Sequence, residues 1–546
     1  MLSCVQLSCN SQSEQGKTPN MQTQLRLTVR DDDSKQPLPA LVNFRNAAGE
    51  MVTFGNFADL PGWAQGASAT ELGTGKGGVF AFRHGLALWR GEGVFTVGKP
   101  WQHRDVQGAV QTTSQLPPGV YAVVVSHGVE YDAVTLQADL SVGKGEVAFD
   151  VLLKRTVDST GYLSADLHTH TTPDSDDGFA TAANHLKVAA ANGLEVLVAS
   201  NHNTLTDMAG VVTSLWPQGH APLVTVVGEE LSGTNSHWNL FPMVRDATKP
   251  GKGAAAVRIW PLPEFFADLR ALPGRPILML NHPRLGWQAY MDEGYCGAWA
   301  KKDFSAPPPC PQDYDATELL NGWQSCGTRM RDATETWLAL ASYGFISAAV
   351  GGSDSHYVSA MVPGYPRTWL AVGDDNLGRF SPDVMANTVR TRHTVASNGP
   401  LVSVRSGVFS EGDFVPNAPA ELAISIRVQA ANWVTVDAVR LLIDGVVAKS
   451  WPIPRTGIAV DFKVDEVFSL GVADTFVTVE TDSTEPLPPL MVGEYNAIIQ
   501  YGSPKCAPRP GQAPGLPAYA VTSPLFIDRD GDGMFRGNRA ATPRAM

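Results

Sequence analysis

Five short apolar runs between residues 162 and 352 each stop at a histidine or a carboxylate: YLSADLHTH, EVLVASNH, LVTVVGEEL, PILMLNHP and FISAAVGGSDSH. Short continuous apolar runs of this kind have the form of strands buried on both faces. Helix-forming stretches such as FATAANHLKVAAANG alternate with them, so residues 161–400 read as a β/α fold on a mainly parallel sheet. In a β/α barrel the strand ends converge on one face, and polar residues placed there meet. That placement, repeated five times, constrains the chain more than its composition does.

The residues at those ends are the candidates for chemistry. His168 and His170, spaced HxH, project from one face of an extended segment, so both imidazoles reach the same point. The turn that follows carries Asp174, Asp176 and Asp177, which read both as an N-cap for the next helix and as carboxylate donors. Asn201 and His202 come next, at the mouth of the sheet, whereas His185 lies inside the helix and reads as structural. In GEEL, alternation sends Glu229 and Glu230 to opposite faces, and Glu230 is the one expected at the site, where its two oxygens can bridge two cations. His282 in NHPR and the pair Asp354 and His356 in GGSDSH complete a mixed nitrogen and oxygen set, which suits Zn, Mn or Fe. More than four candidates imply two or three ions with open positions, because structural zinc is closed by four ligands. Such ions lower the pKa of bound water and polarise a carbonyl or phosphoryl oxygen, so the expected reaction is hydrolysis. No GxSxG elbow, Walker loop or strand-borne GxGxxG offers a competing chemistry.

With 546 residues the chain is long enough for several domains. Residues 23–160 read as short strands (LRLTV, ALVNFR, GVFAF, GVFTV, YAVVVS, VAFDVLL) forming an N-terminal β-sandwich, and strands return over 401–546, implying a C-terminal one. The balance of 54 acidic against 41 basic residues, with no long Lys/Arg run, argues against a nucleic-acid partner. No apolar stretch approaches membrane-span length. Residues 1–22 suggest a signal remnant or lipoprotein-type tether with Cys9 as the lipid-bearing residue, or else a disordered tail, and the first reading places the protein outside a bacterial cytoplasm, secreted, periplasmic or surface-tethered. Cys296, Cys310 and Cys326 share one Pro-rich insertion and can supply a disulfide whose pairing the sequence leaves open.

The motifs DLHTH, SNHNT, GEEL, NHP and SDSH, with the aspartate turn, resemble those of the PHP (polymerase and histidinol phosphatase) superfamily, specifically its CehA/McbA-type metallohydrolase branch. The resemblance covers about residues 161–400, and the flanking GVEYDAV and VTVDAVRLLIDG also look typical of that branch. It implies a distorted β/α barrel flanked by the two β-sandwiches, and a hydrolase of phosphoesters or aryl carbamates. It also implies up to three ions: one on His168, His170, Glu230 and Asp354, a second on Glu230 and His282, and a third on Asp176, His202 and His356. The chain departs from the pattern twice. Asn201 stands where many relatives have Asp, and ELLNGW, with Glu318 and Asn321, stands where some have a further histidine, which leaves Glu318 as the candidate ligand there and the second ion short of donors.

Outside these motifs, His237 in SHWNLFP and Arg367 in YPRTWL lie where a side chain can orient an anionic or carbonyl group, and they are the candidate catalytic residues; His393 reads as a cap or packing residue. Near the C-terminus, DRDGDG offers Asp528, Asp530 and Asp532 as a loose Ca²⁺ clasp, though Arg539 at position twelve excludes a full EF-hand. The leading expectation is a metal-dependent hydrolase acting on a small-molecule ester or phosphoester. The alternative is a surface binding protein with a structural metal in a degenerate barrel.

Overall fold

The computed structural model describes residues 22–52, 79–82, 85–98, 101–104, 110–113, 116–175, 177–178, 180–233, 236–256, 262–284, 289–292, 294–322, 327–356, 358, 362–488 and 516–539. The N-terminal segment with Cys9, together with Asp176 and Cys326, lies outside them. The described chain is mixed α/β, with many strands and few helices. No helix in it is long and apolar enough to cross a membrane.

At the N-terminal end, burial follows the alternation of the sequence. Leu25, Leu27 and Val29 of strand Gln24–Asp31 point inward while Arg26 and Arg30 face solvent. This strand pairs in parallel with Glu146–Leu153 and antiparallel with Glu92–Thr96. A five-stranded sheet that includes Ala40–Arg45 and Val120–Ser126 supplies Val42, Phe44 and Val123 to the same core.

The centre of the chain is two sheets. One orders Val224–Val227, Val196–Ala199, Tyr162–Asp166, Arg367–Ala371 and Thr394–Ser397; its first three strands are parallel and the rest antiparallel. The other orders Glu229–Gly233, Ser236–Phe241, Ile277–Leu280, Ala316–Asn321 and Ala348–Gly352, with an antiparallel hairpin followed by parallel strands. Alternate residues of both, Leu163 and Ala165, Val196 and Val198, Ile277 and Met279, Ala348 and Val350, fill the space between them. Their opposite faces are buried as well, which accounts for the unbroken apolar runs. The margins are joined by hydrogen bonds, Glu230 N to Ser200 O on one side and Gly351 N to Thr368 Oγ1 on the other. In place of one continuous barrel wall, the chain switches sheet between Val227 and Glu229.

Helix Ala182–Ala191 is capped by Thr181, whose Oγ1 accepts from Asn184 N, and not by the aspartate turn before it. It closes at Asn192 and at Gly193, whose φ of 67° suits a residue without Cβ.

Strands from both sides of residue 400 share one sheet. Thr394–Ser397 pairs with Ala520–Thr522, and the sheet runs on through Thr475–Asp482, Ala438–Ile443 and Val446–Pro452. A separate sheet containing Leu401–Ser406, Glu421–Ala430 and Val460–Ser469 packs Val402, Val404, Ile424 and Ile426 onto it. The physical reason is that Thr394–Ser397 is buried on both faces and leaves an edge that must be hydrogen-bonded. The Pro-rich insertion after Ile277–Leu280 is closed by a Cys296–Cys310 disulfide, with Tyr290 packed on Trp238 and Trp299 on Phe304 and Tyr343.

Candidate metal centre

The five runs deliver their polar residues to one place. His168 and His170 follow strand Tyr162–Asp166, His202 follows Val196–Ala199, Glu230 sits in Glu229–Gly233, His282 follows Ile277–Leu280, and Asp354 and His356 follow Ala348–Gly352. Asp166, which the motif reading passed over, anchors the first loop to the last: its Oδ1 accepts from His168 N and Ser353 N, and its Oδ2 from Gly364 N. Burial pushes its carboxyl up to about 6 against those bonds.

Glu230, almost fully buried, stands at the centre. Its Oε1 lies 3.3 Å from His168 Nε2, 3.0 Å from His237 Nδ1 and 3.3 Å from His282 Nε2. Its Oε2 lies 3.3 Å from His170 Nε2 and 3.0 Å from His202 Nδ1. One carboxylate thus presents separate oxygens to separate imidazole sets. Asp354 Oδ1 closes the His168 and His170 side at 3.4 and 3.2 Å. Glu229 turns away, as alternation requires; its Oε1 accepts from Ala255 N, and burial raises its carboxyl to about 7.

A third group forms where Asp177 Oδ2 meets His202 Nε2 at 3.1 Å and His356 Nε2 at 2.9 Å, with the His170 ring stacked on His356. The carboxylate here is Asp177; Asp176 lies outside the described residues. Asp174 is engaged elsewhere, accepting from Lys252 Nζ and Thr206 Oγ1. The Asp177 side chain is 45% exposed against 1% for Glu230, so the cluster opens to solvent at this group.

Three sets of donor atoms, each within 4.8 Å of one another, therefore overlap: His170, Asp177, His202 and His356; His168, His170 and Glu230; His202, Glu230 and His237. The donors fit divalent ions. Nε2 of His168 and of His170 are buried, and each sits 3.2–3.4 Å from a Glu230 and an Asp354 oxygen without a well-aligned hydrogen bond, an arrangement that a cation between them satisfies. Among the protein groups alone, the electrostatics are those of a site built around positive charge. Burial opposes a charge on His168, and the carboxylates of Asp354, Glu318 and Glu230 overcome it and lift the imidazole well above its ordinary value. The same contest, won by Glu230 and Asp177, raises His202 to about 9. His170, buried beside His356 and His202, is pushed down to about 3. Asp177, against the desolvation of its partly buried carboxyl, is held below the usual carboxylate range by His202 and His356.

Two sequence expectations change. Glu318 stands behind the donors: its Oε1 accepts from His168 Nδ1 at 2.9 Å and its Oε2 from His282 N at 2.8 Å, so it contacts the ligand residues from the rear. His237 forms a donor set with His202 and Glu230 and reaches the same Glu230 oxygen as His282; the hairpin register sets His237 opposite Ser232, on the face that carries Glu230. The signal for it was the strand alternation of SHWNLF next to GEEL. Asn201 faces Thr171 and Thr206 and is not in the donor sets.

Arg367 is not brought to the cluster. It is fully buried, donates to Gly364 O and Asn192 O, and lies over the Tyr365 ring. His185 Nε2 donates to the Ser355 carbonyl inside the fold, and His393 pairs with Asp413. In DRDGDG, Asp528 and Asp530 approach Asp474, while Asp532 is taken by Arg536, so the Asp528, Asp530 and Asp532 clasp is not what the fold assembles.

Neither a family model nor a curated protein matches this chain. Among solved structures, a two-domain protein containing a predicted PHP-like metal-dependent phosphoesterase from Bacteroides vulgatus ATCC 8482 aligns at 13% identity, with 60% of this chain and 92% of that one covered and a TM-score of 0.33. An FMN-binding beta-glucuronidase from Facaelibacterium prausnitzii L2-6 aligns at 10% identity over 82% of this chain and 68% of that one, with a TM-score of 0.17.

Proposed function

We propose that the protein is a divalent-metal-dependent hydrolase of an ester-type bond, a phosphoester or an aryl carbamate or carboxyl ester, of the PHP type and its CehA/McbA-like branch. The observation that carries this reading is Glu230, whose Oε1 faces His168, His237 and His282 and whose Oε2 faces His170 and His202, so that one carboxylate meets five imidazoles in a cluster open on one side. A closed structural site has one set of four donors; overlapping sets with an open side suit a reaction. His168, His170, Glu230 and Asp354 would hold one ion, Glu230, His282 and His237 a second, and Asp177, His202 and His356 a third. Ions held there supply an activated water and a Lewis acid for the carbonyl or phosphoryl oxygen. The chain's own contribution is positional. Glu230 sets the spacing between the sets, and the exposed Asp177 side admits a small substrate while the apolar core behind Glu230 keeps bulk water out. The Cys296–Cys310 bridge supports an oxidising compartment, in keeping with export.

The test is hydrolysis of bis-p-nitrophenyl phosphate, p-nitrophenyl phosphate and 1-naphthyl N-methylcarbamate by metal-loaded protein, with and without chelator. Chelator-sensitive turnover of one of them, lost in the His168→Ala, His170→Ala double variant, is expected. No turnover of any, with bound metal unchanged in the double variant, sinks the enzyme reading.

A further inference from the structure

We propose that Glu318 is a positioning residue that couples the first and second ion groups. The inference rests on the metal reading above and concerns a residue outside every donor set.

Glu318 is fully buried in the middle of strand Ala316–Asn321. Its Oε1 accepts from His168 Nδ1 at 2.9 Å, which fixes the tautomer and aims Nε2 at Glu230 and Asp354. Its Oε2 accepts from the backbone N of His282 at 2.8 Å, and His282 has φ 29°. A non-glycine residue there is strained and persists only where its surroundings hold it; the Glu318 bond is such a hold, and it orients the second group's histidine. Oε2 also accepts from Asn321 Nδ2 at 2.9 Å, and the same amide donates to Asp354 Oδ2 at 3.1 Å. Asp354 is likewise left-handed, with φ 53°. One carboxylate therefore holds a ring of the first group, the backbone of a second-group ligand and, through Asn321, the first group's carboxylate. Its own side-chain bonds go to His168, His282 and Asn321. Gly352 makes the packing possible, since a Cβ there would come within 2.6 Å of His168 Cβ and 2.8 Å of Glu318 Oε1.

Gln at this position keeps the shape but offers only one carbonyl oxygen, so an N–H must face either His168 Nδ1–H or the His282 and Asn321 donors. The experiment titrates full-length wild-type and Glu318→Gln protein with Zn²⁺ in a chelator-buffered series and counts bound ions by elemental analysis. Two ions per chain are expected to weaken together by about 10- to 100-fold, with the most exposed ion unchanged and the far-ultraviolet circular dichroism preserved. In the companion variant Asn321→Ala, only the ion on His168, His170 and Asp354 is expected to weaken, so the test stands even where Glu318→Gln fails to fold. Wild-type affinities for every ion in Glu318→Gln, or equal weakening of all ions in either variant, overturn the proposal. Wild-type protein that binds no divalent ion overturns instead the metal reading on which it rests.

Discussion

His237 reaches Glu230 across a hairpin, its Nδ1 3.0 Å from Glu230 Oε1, and His282 Nε2 stands 3.3 Å from the same oxygen. The group that was short of donors in the sequence thus has two imidazoles and a carboxylate. His237→Ala is expected to release one ion per chain at free Zn²⁺ concentrations that keep the wild type full, with an affinity loss of at least about 10-fold. Elemental analysis after dialysis against buffered Zn²⁺ checks this; full occupancy in the variant contradicts it.

Removing metal leaves several imidazoles and carboxylates packed together in a buried site, so ion binding is linked to folding. Saturating Zn²⁺ or Mn²⁺ at a hundred times its dissociation constant is expected to add about 2.7 kcal/mol per ion site over chelator-treated protein. Scanning calorimetry with and without chelator reads this as a rise in Tm, and identical melting curves count against it.

Arg367 is expected to affect stability and not turnover. Its guanidinium donates to the carbonyls of Gly364 and Asn192 in a fully buried setting, and each carbonyl left unsatisfied costs about 1–3 kcal/mol. Arg367→Met is expected to lower Tm while kcat/KM of the folded protein and its metal content hold. A selective loss of kcat would return Arg367 to the candidate catalytic residues.

His127 sets a pH dependence away from the metal groups. Burial, opposed by Glu130, lowers it from 6.5 to about 4. Between those values the unfolded chain binds a proton that the folded chain refuses, so this contribution is complete above pH 6.5 and lost as the pH falls toward 4. The span corresponds to about 3 kcal/mol. Urea unfolding at stepped pH is expected to show a flatter acid limb for His127→Gln than for wild type, and parallel limbs refute the assignment.

The Cys296–Cys310 bridge spans 14 residues. A loop of that size is worth about 3 kcal/mol in the chain-entropy description. The Cys296→Ser, Cys310→Ser variant is expected to be cut faster by protease between 285 and 315, with bound metal unchanged; equal cutting rates contradict a stabilising bridge.

The strand ends were legible because burial on both faces leaves an unmistakable apolar run, and polar residues at its end have few other reasons to be there. What the sequence hid was three-dimensional register. HxH and GEEL follow the strand period and point where alternation sends them, but whether a turn offers Asp174, Asp176 or Asp177 depends on its path, and here Lys252 claims Asp174. His237 was visible as a histidine and opaque as a neighbour of Glu230, because the hairpin pairing that joins them is a contact between strands. Glu318 carried the right chemistry for a ligand, and only its place behind His168 distinguishes a support from a donor. Asp532 likewise looked like one of three equivalent aspartates until Arg536 reached it. The pairing of Thr394–Ser397 with Ala520–Thr522 is hidden for a related reason: a strand's edge has no signature in its own residues.

That shared edge has a practical meaning for dissection of the chain. Thr394–Ser397 hydrogen-bonds to Ala520–Thr522, more than a hundred residues later, and an amputated edge of buried strand is a template for self-association. A fragment ending near residue 400 would carry every donor named above and still aggregate, so the minimal autonomous unit that bears this centre includes the far end of the polypeptide.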